Sequence, residues 1–190
     1  MAWGYSPCGG HVGSHSRNVI LIGYRGCGKT TVGMLLSREL GRPFVDMDLS
    51  IEGKYGLPLS EIIKRFGWEH FRKEEKAQVL HLSKKSGLVV ATGGGVVLDP
   101  VNVDLLRASG WVFLLWASPE EIVRRLASDP KPLRRPPLKG DLLGEVREVL
   151  REREASYRKA AHFVVESTGR SPEEVAGEIM QRLREVGPNG

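Results

Sequence analysis

Two cysteines in 190 residues are too few, and too poorly placed, for a disulfide framework, since Cys8 sits in an irregular N-terminal stretch and Cys27 inside a glycine-rich loop. A reducing, cytoplasmic compartment is the natural expectation. No apolar run approaches the length of a membrane span, and Met1 to Ser16 has neither the basic start nor the hydrophobic centre of a secretory signal. The chain also lacks an internal repeat, an interdomain linker and any aromatic and basic stripe that would grip single-stranded nucleic acid. A net charge of +5 and a pI near 9.4 therefore suit a polyanionic nucleotide and an acidic substrate at least as well as a nucleic acid. Much of that charge alternates with glutamate, as in EVREVLREREASYRK, which reads as a solvated helix face. Neither a membrane nor a nucleic-acid partner is expected.

With 41% hydrophobic residues, a chain of this length can bury one substantial core, and a single domain over residues 17–190 is expected. The opening MAWGYSPCGGHVGSHS is rich in glycine and serine without helical or strand periodicity, so residues 1–16 read as a flexible extension. His11, His15 and Cys8 have no fourth ligand beside them for a metal site. From Arg17 onward, short β-branched or apolar runs alternate with longer amphipathic segments, the pattern of a parallel sheet with helices on both faces. The expected strands are 18–22, 44–46, 88–91, 111–116 and 163–166. Ser118-Pro119-Glu120-Glu121 and Ser171-Pro172-Glu173-Glu174 each place serine at an N-cap, proline in the first turn and glutamate three residues on, and so mark helix starts. After the second, Val175, Ile179, Leu183 and Val186 recur at helical spacing. Residues 128–140, SDPKPLRRPPLKG, are too rich in proline for a continuous helix, and their basic residues suit a positively charged, mobile lid.

The strand-like NVILI runs into Gly23-Tyr24-Arg25-Gly26-Cys27-Gly28-Lys29-Thr30 and then into the amphipathic TVGMLLSREL. Glycines in such a P-loop let backbone N–H groups converge on phosphate oxygens, and the helix that follows adds its partial positive charge. Gly26, Cys27, Gly28, Lys29, Thr30 and Thr31 form the expected ATP-binding set. Lys29 brings a full charge to the β and γ phosphates, and Thr30 a hydroxyl for Mg²⁺. The motif names the donor and leaves the acceptor open.

Phe44-Val45-Asp46-Met47-Asp48 reads as a short strand delivering two carboxylates at its C-terminal end, where open α/β sheets place their ligands. If strand geometry persists, the two point in opposite directions and serve different partners, Asp46 the Mg²⁺ shell and Asp48 an acceptor hydroxyl whose proton it takes. Gly67-Trp68-Glu69-His70-Phe71-Arg72-Lys73-Glu74-Glu75 reads as the opening of a helix with Arg72 and Glu75 on one face, by themselves an ordinary surface pair. Leu88 to Ala91 ends in Thr92-Gly93-Gly94-Gly95, a strand followed by glycines over which a ligand can approach the backbone.

Taken together, GxxGxGKT at Gly23 to Thr30, DxD at Asp46 to Asp48, FRxxE at Phe71 to Glu75 and the triplet Gly93 to Gly95 resemble shikimate kinases, from about Arg17 to the last helix. The resemblance implies a three-layer α/β P-loop fold and transfer of the ATP γ-phosphoryl group to the 3-hydroxyl of shikimate, with Mg²⁺ as cofactor and the protein a monomer. It implies that Asp48, Arg72, Gly93, Gly94 and Gly95 form the shikimate site with Glu75 in support, and that Arg153, four residues before Tyr157, is a second clamp on the substrate carboxylate. It also implies that Arg135 closes over the phosphates, with Arg134 as its neighbour, and that Arg124 or Arg125 contacts adenine. Trp68 stands where the family usually carries glutamate, Pro137 where leucine is usual, and Arg153 to Tyr157 lacks the usual proline before the tyrosine. Two alternatives stay open: a gluconate-type kinase, which shares the P-loop and an early acidic motif, and a non-catalytic nucleotide-binding protein of the same fold.

Overall fold

Strands that are buried on both faces need apolar side chains at successive positions, and NVILI and VFLL supply them. The computed structural model describes residues 17–128 and 141–187. Strands β1 (Asn18–Ile22), β2 (Phe44–Asp46), β3 (Val89–Ala91), β4 (Gly110–Trp116) and β5 (Phe163–Glu166) form one parallel sheet in the order β2-β3-β1-β4-β5. The expected ranges hold for β1, β2 and β5, while β3 and β4 differ by one residue each. Leu88 falls outside β3 because its N–H goes to the Asn18 carboxamide at 2.9 Å. Strand β4 begins one residue early because Gly110 pairs with Asn18 where a Cβ would collide with the Asn18 carbonyl.

Helices α1 (Lys29–Leu40), α2 (Met47–Tyr55), α3 (Leu59–Leu82), α4 (Pro100–Ser109), α5 (Pro119–Ala127), α6 (Leu142–Ala160) and α7 (Pro172–Val186) cover the sheet. The side chains of β1 alternate between two cores, as the twofold period of a strand requires. Val19 and Leu21 pack with Val32 and Leu36 of α1 and Val175 and Ile179 of α7, whereas Ile20 and Ile22 pack with Val79 and Leu82 of α3 and Leu106 of α4. Helix α6 joins both, giving Val146 and Leu150 to the first core and Tyr157 and Ala160 to the second. A third cluster, Ile51, Leu59, Ile62 and Phe71, fastens α2 to α3. Both serine-proline helix starts are present: Ser118 Oγ accepts from Glu121 N at 3.2 Å, and Ser171 and Glu174 close a reciprocal capping box.

A helical segment does open after Gly67, as the sequence suggests. Another helical run, from Leu59, precedes it, and Gly67 joins the two across a kink with φ 84° and ψ 165°, an extended positive-φ geometry that essentially only glycine enters without strain. Among the described residues no helix is long and apolar enough to cross a membrane. The 1–16 extension and the lid, with Arg134, Arg135 and Pro137, lie outside the described residues.

Asn18, 1% exposed, knits the N-terminal rim of the sheet: its Nδ2 donates to Lys85 O at 2.8 Å and its Oδ1 accepts from Leu88 N. Asn18→Ala strands these backbone groups and should lower unfolding free energy by about 1–3 kcal/mol, read from urea denaturation. An unchanged midpoint would show that the rim does not depend on this side chain.

Candidate active site

The site is built where the strands end. Strand β1 delivers the loop Gly23 to Gly28, whose backbone crosses directly over β4: a Cβ at Gly23 would lie 2.5 Å from the Leu115 carbonyl oxygen, and φ there is 138°. Gly28, at φ 98°, turns the chain into α1. The Lys29 ammonium donates to the carbonyls of Gly23 at 2.8 Å and Tyr24 at 2.9 Å, which holds its charge across the loop.

One residue later, Thr30 Oγ1 donates to Asp46 Oδ2 at 2.7 Å. The other carboxylate oxygen of Asp46 accepts from Leu49 N at 3.1 Å and caps α2. Asp46 therefore both caps a helix and faces the P-loop. The strand alternation expected for Asp46 and Asp48 does not persist, because the chain turns helical at Met47 and Asp48 lies in the first turn of α2. The two carboxylates diverge all the same, Asp46 toward Thr30 and Asp48 toward the glycine triplet.

Glycines 93 to 95 admit side chains from two other elements. A Cβ at Gly93 would lie 2.6 Å from Glu75 Oε1 and 2.9 Å from Asp48 Oδ1, and a Cβ at Gly95 would collide with the Arg72 guanidinium. Arg72 Nη1 meets Glu75 Oε2 at 2.5 Å, and the Glu75 side chain is 2% exposed while that of Arg72 is 30% exposed, so this is a half-buried pair rather than the surface pair that the spacing alone suggests. From α6, Arg153 Nη1 donates to Gly94 O at 3.3 Å and the Tyr157 hydroxyl donates to the same oxygen at 2.5 Å. The structure thus brings Asp48, Arg72, Glu75, Gly93, Gly94, Gly95 and Arg153 together from four separate stretches of chain.

On the other flank, Arg124 and Arg125 have different surroundings. Arg124 is the more exposed of the two, its side chain 67% exposed and paired with Glu121 although it too borders the cleft. Arg125 points inward, its Nη2 donating to Ser167 O at 2.5 Å and its Nη1 within 3.5 Å of Gly26 O. Ser167 Oγ lies 3.3 Å from the Cys27 carbonyl, so the loop after β5 buttresses the P-loop. Sequence reasoning missed Ser167, Arg170 and Pro172, although their place after the last strand marked them as belonging to the ligand end. It also missed the 3.1 Å pair between Arg25 in the P-loop and Glu145 in α6, for which no local spacing gave a signal.

The P-loop and members of both flanks open onto one cleft of about 1230 Å³, which Arg72 adjoins through its contact with the lining residue Trp68. Gly26 to Thr31, Asp46, Asp48, Gly94, Arg125 and Arg153 line it, with Ser167, Arg170 and Pro172 at the far end. Among the described residues there is no cluster of three or more His, Cys, Asp or Glu side chains arranged to hold a metal. The Thr30 and Asp46 oxygens are a hard donor pair that fits Mg²⁺, an ion usually held by one or two protein oxygens plus substrate phosphates.

The model of the family described as "Shikimate kinase" matches residues 25–184, which spans both halves of the cleft. The chain belongs to the shikimate kinase family. As a member of it, the protein is an ATP-dependent kinase. A shikimate kinase of Syntrophus aciditrophicus is 42% identical over 178 residues, covering 88% of this chain and 91% of the relative. Shikimate kinase 2 of Dickeya chrysanthemi is 42% identical over 167 residues, covering 87% and 95%. The solved structure of the Acinetobacter baumannii shikimate kinase in complex with shikimate superposes with a TM-score of 0.84 at 32% identity, covering 90% of this chain and 94% of that one.

In this member of the family the two arginines before the lid segment share one carboxylate. Hydrogen bonds from Arg124, joined by those from Arg125, outweigh the burial of Glu121 and hold its carboxyl at about 2, against an ordinary 4.5. A carboxyl depressed on folding stabilises the fold above its ordinary pKa and loses that contribution as pH falls toward the depressed value. The stability advantage of the protein over Glu121→Gln should be constant above about pH 4.5 and shrink between 4.5 and 2. Urea unfolding at a series of pH values measures it, and an advantage independent of pH would show that the pair does not depend on the charge.

Proposed function

We propose that the chain transfers the γ-phosphoryl group of ATP to the 3-hydroxyl of shikimate, giving shikimate 3-phosphate and ADP, and that the residues around the cleft divide the work as follows. The observation that carries this reading is one cleft lined by the P-loop, by Asp48 and by Arg153, with Arg72 adjoining it at Trp68. The P-loop of Gly26 to Thr31 takes the phosphates, Arg153 and the adjoining Arg72 take the substrate carboxylate, and Asp48, beside Gly93, meets the acceptor hydroxyl.

In the reaction the bond from the γ-phosphorus to the oxygen bridging it to the β-phosphate breaks, and a bond to the acceptor hydroxyl oxygen forms. The hydroxyl proton passes to Asp48, a carboxylate aligned by the acceptor loop. Lys29 offsets charge on the β and γ phosphates, and the backbone N–H groups of the loop bind their oxygens. Thr30 and Asp46 would hold Mg²⁺, which lowers the charge repulsion among the phosphates when bound. Glu75 fixes Arg72, whose fork can meet a carboxylate in two parallel hydrogen bonds. Arg125 is the arginine of the adenine end, supported by its contacts to Ser167 and Gly26, while Arg124 is the more exposed. Arg135, outside the described residues, is assigned by the family resemblance to the transferred phosphoryl group, where an arginine stabilises developing charge while the lid excludes water. A cytoplasmic monomer completes the reading, the compartment resting on cysteine usage and the monomer on a cleft formed within one chain.

The test is ADP release by purified protein with ATP and Mg²⁺. Release should rise on adding shikimate and not on adding gluconate, and release with gluconate alone would overturn the assignment of the acceptor. Asp48→Asn should lower kcat by roughly 10²- to 10⁴-fold, the range of a positioned general base. Turnover by that variant at the parent rate would remove Asp48 from the proton transfer.

A further inference from the structure

The residue least accounted for is Trp68. It stands in α3 immediately after the Gly67 break, its side chain lines the cleft, and it is 46% exposed, an unusual cost for so large an apolar group. A tryptophan that only filled the core would be buried with Phe71, which is 0% exposed one turn away.

Its neighbours show what it touches. The Arg72 guanidinium carbon lies 5.5 Å from the Trp68 ring centroid and 5.3 Å from that of Phe71. The two rings meet edge to face, 6.0 Å apart at 82°, so each fixes the other's tilt. Trp68 and Arg72 are four residues apart on one helical segment, the spacing that brings side chains onto the same face. On another side the guanidinium presses so closely on Gly95 that a methyl group there would collide with it, and along its edge it pairs with Glu75. Four neighbours thus fix one cation: an ion pair, a glycine backbone and two aromatic rings. Trp68 alone among them stands in the cleft wall.

We propose that Trp68 is a positioning residue for the acceptor, holding the Arg72 guanidinium over Gly95 by a cation–π contact so that its fork is set for the substrate carboxylate before the substrate arrives. This rests on the reading of Arg72 as the carboxylate clamp. An arginine side chain has many rotamers, and freezing them on binding costs affinity; an arginine already frozen does not incur that cost again. A carboxylate at this position would do the same task by charge, but it would also compete with the substrate for the guanidinium. An indole holds the cation from its face and leaves the hydrogen-bonding edge open.

The experiment measures steady-state kinetics of Trp68→Ala and Trp68→Phe, each with Arg72 and with Arg72→Lys. Trp68→Ala should raise KM for shikimate roughly three- to tenfold, the size of a partly exposed cation–π contact, with kcat and KM for ATP within about twofold. Trp68→Phe should recover most of the loss. In the Arg72→Lys background, which lacks the planar fork, the Trp68→Ala effect should largely vanish, since a residue acting through another has no separate effect once that one is replaced. An unchanged or lowered KM overturns the proposal, as does a rise of equal size in both backgrounds, which would mean that Trp68 touches the acceptor itself. A second measurement needs no substrate: nitrogen-15 relaxation of the Arg72 Nε–H should show greater mobility in Trp68→Ala than in the parent protein. Equal mobility overturns the proposal even where KM rises. Failure of the parent protein to phosphorylate shikimate would refute the functional reading and leave this relaxation result to stand or fall alone.

Discussion

The hydrogen bond of 2.7 Å from Thr30 to Asp46 couples the nucleotide half of this molecule to the acceptor half. Phosphoryl transfer has little covalent chemistry for a protein to perform, so its rate depends on how accurately two bound molecules are held in line. Thr30 is fixed by the turn from P-loop to α1, and Asp46 by the end of β2 and by its cap on α2. Asp48 lies two residues beyond Asp46 on that same capped turn. The placement of the proposed base relative to the phosphate loop is thus set by one contact and one helical turn, with the sheet behind both.

The remaining groups are attached to this axis by backbone rather than by side-chain pairs alone. The Gly94 carbonyl receives both Tyr157 and Arg153, which ties α6 to the loop after β3. Since α6 also contributes to both hydrophobic cores, it carries the rigidity of the whole domain into the acceptor site. The pairs Arg25 with Glu145 and Arg125 with Ser167 brace the nucleotide loop from opposite sides. Rigid elements therefore hold every described member of the proposed site, and loops supply only the closely approaching backbone.

Much of this was legible in the sequence, for identifiable reasons. The P-loop, the glycine triplet and the serine-proline helix starts are local: each is a short spacing whose physics is complete within a few residues. The sheet was legible because β-branched runs alternated with amphipathic stretches, and its errors, at Leu88 and Gly110, lay where a side-chain hydrogen bond or a strand-to-strand contact decided the boundary. The helical segment that starts after Gly67 was legible from its local pattern, whereas the run from Leu59 that meets it across the kink was not. The burial of Glu75, the inward turn of Arg125 and the buttress at Ser167 were illegible because they depend on which segments meet in space. Spacing put Arg72 beside Glu75, but only the third dimension put Arg72 against Gly95 and Glu75 against Gly93.

The opposite rim of the sheet is organised by different means. There Asn18 ties β1 to the turn before β3, far from the ends at which the P-loop and the glycine triplet emerge. Changes at well-separated positions tend to add independently. The fold consequently offers an engineer two separable faces: one on which thermal resilience can be raised by repacking, and one on which substrate preference can be redrawn.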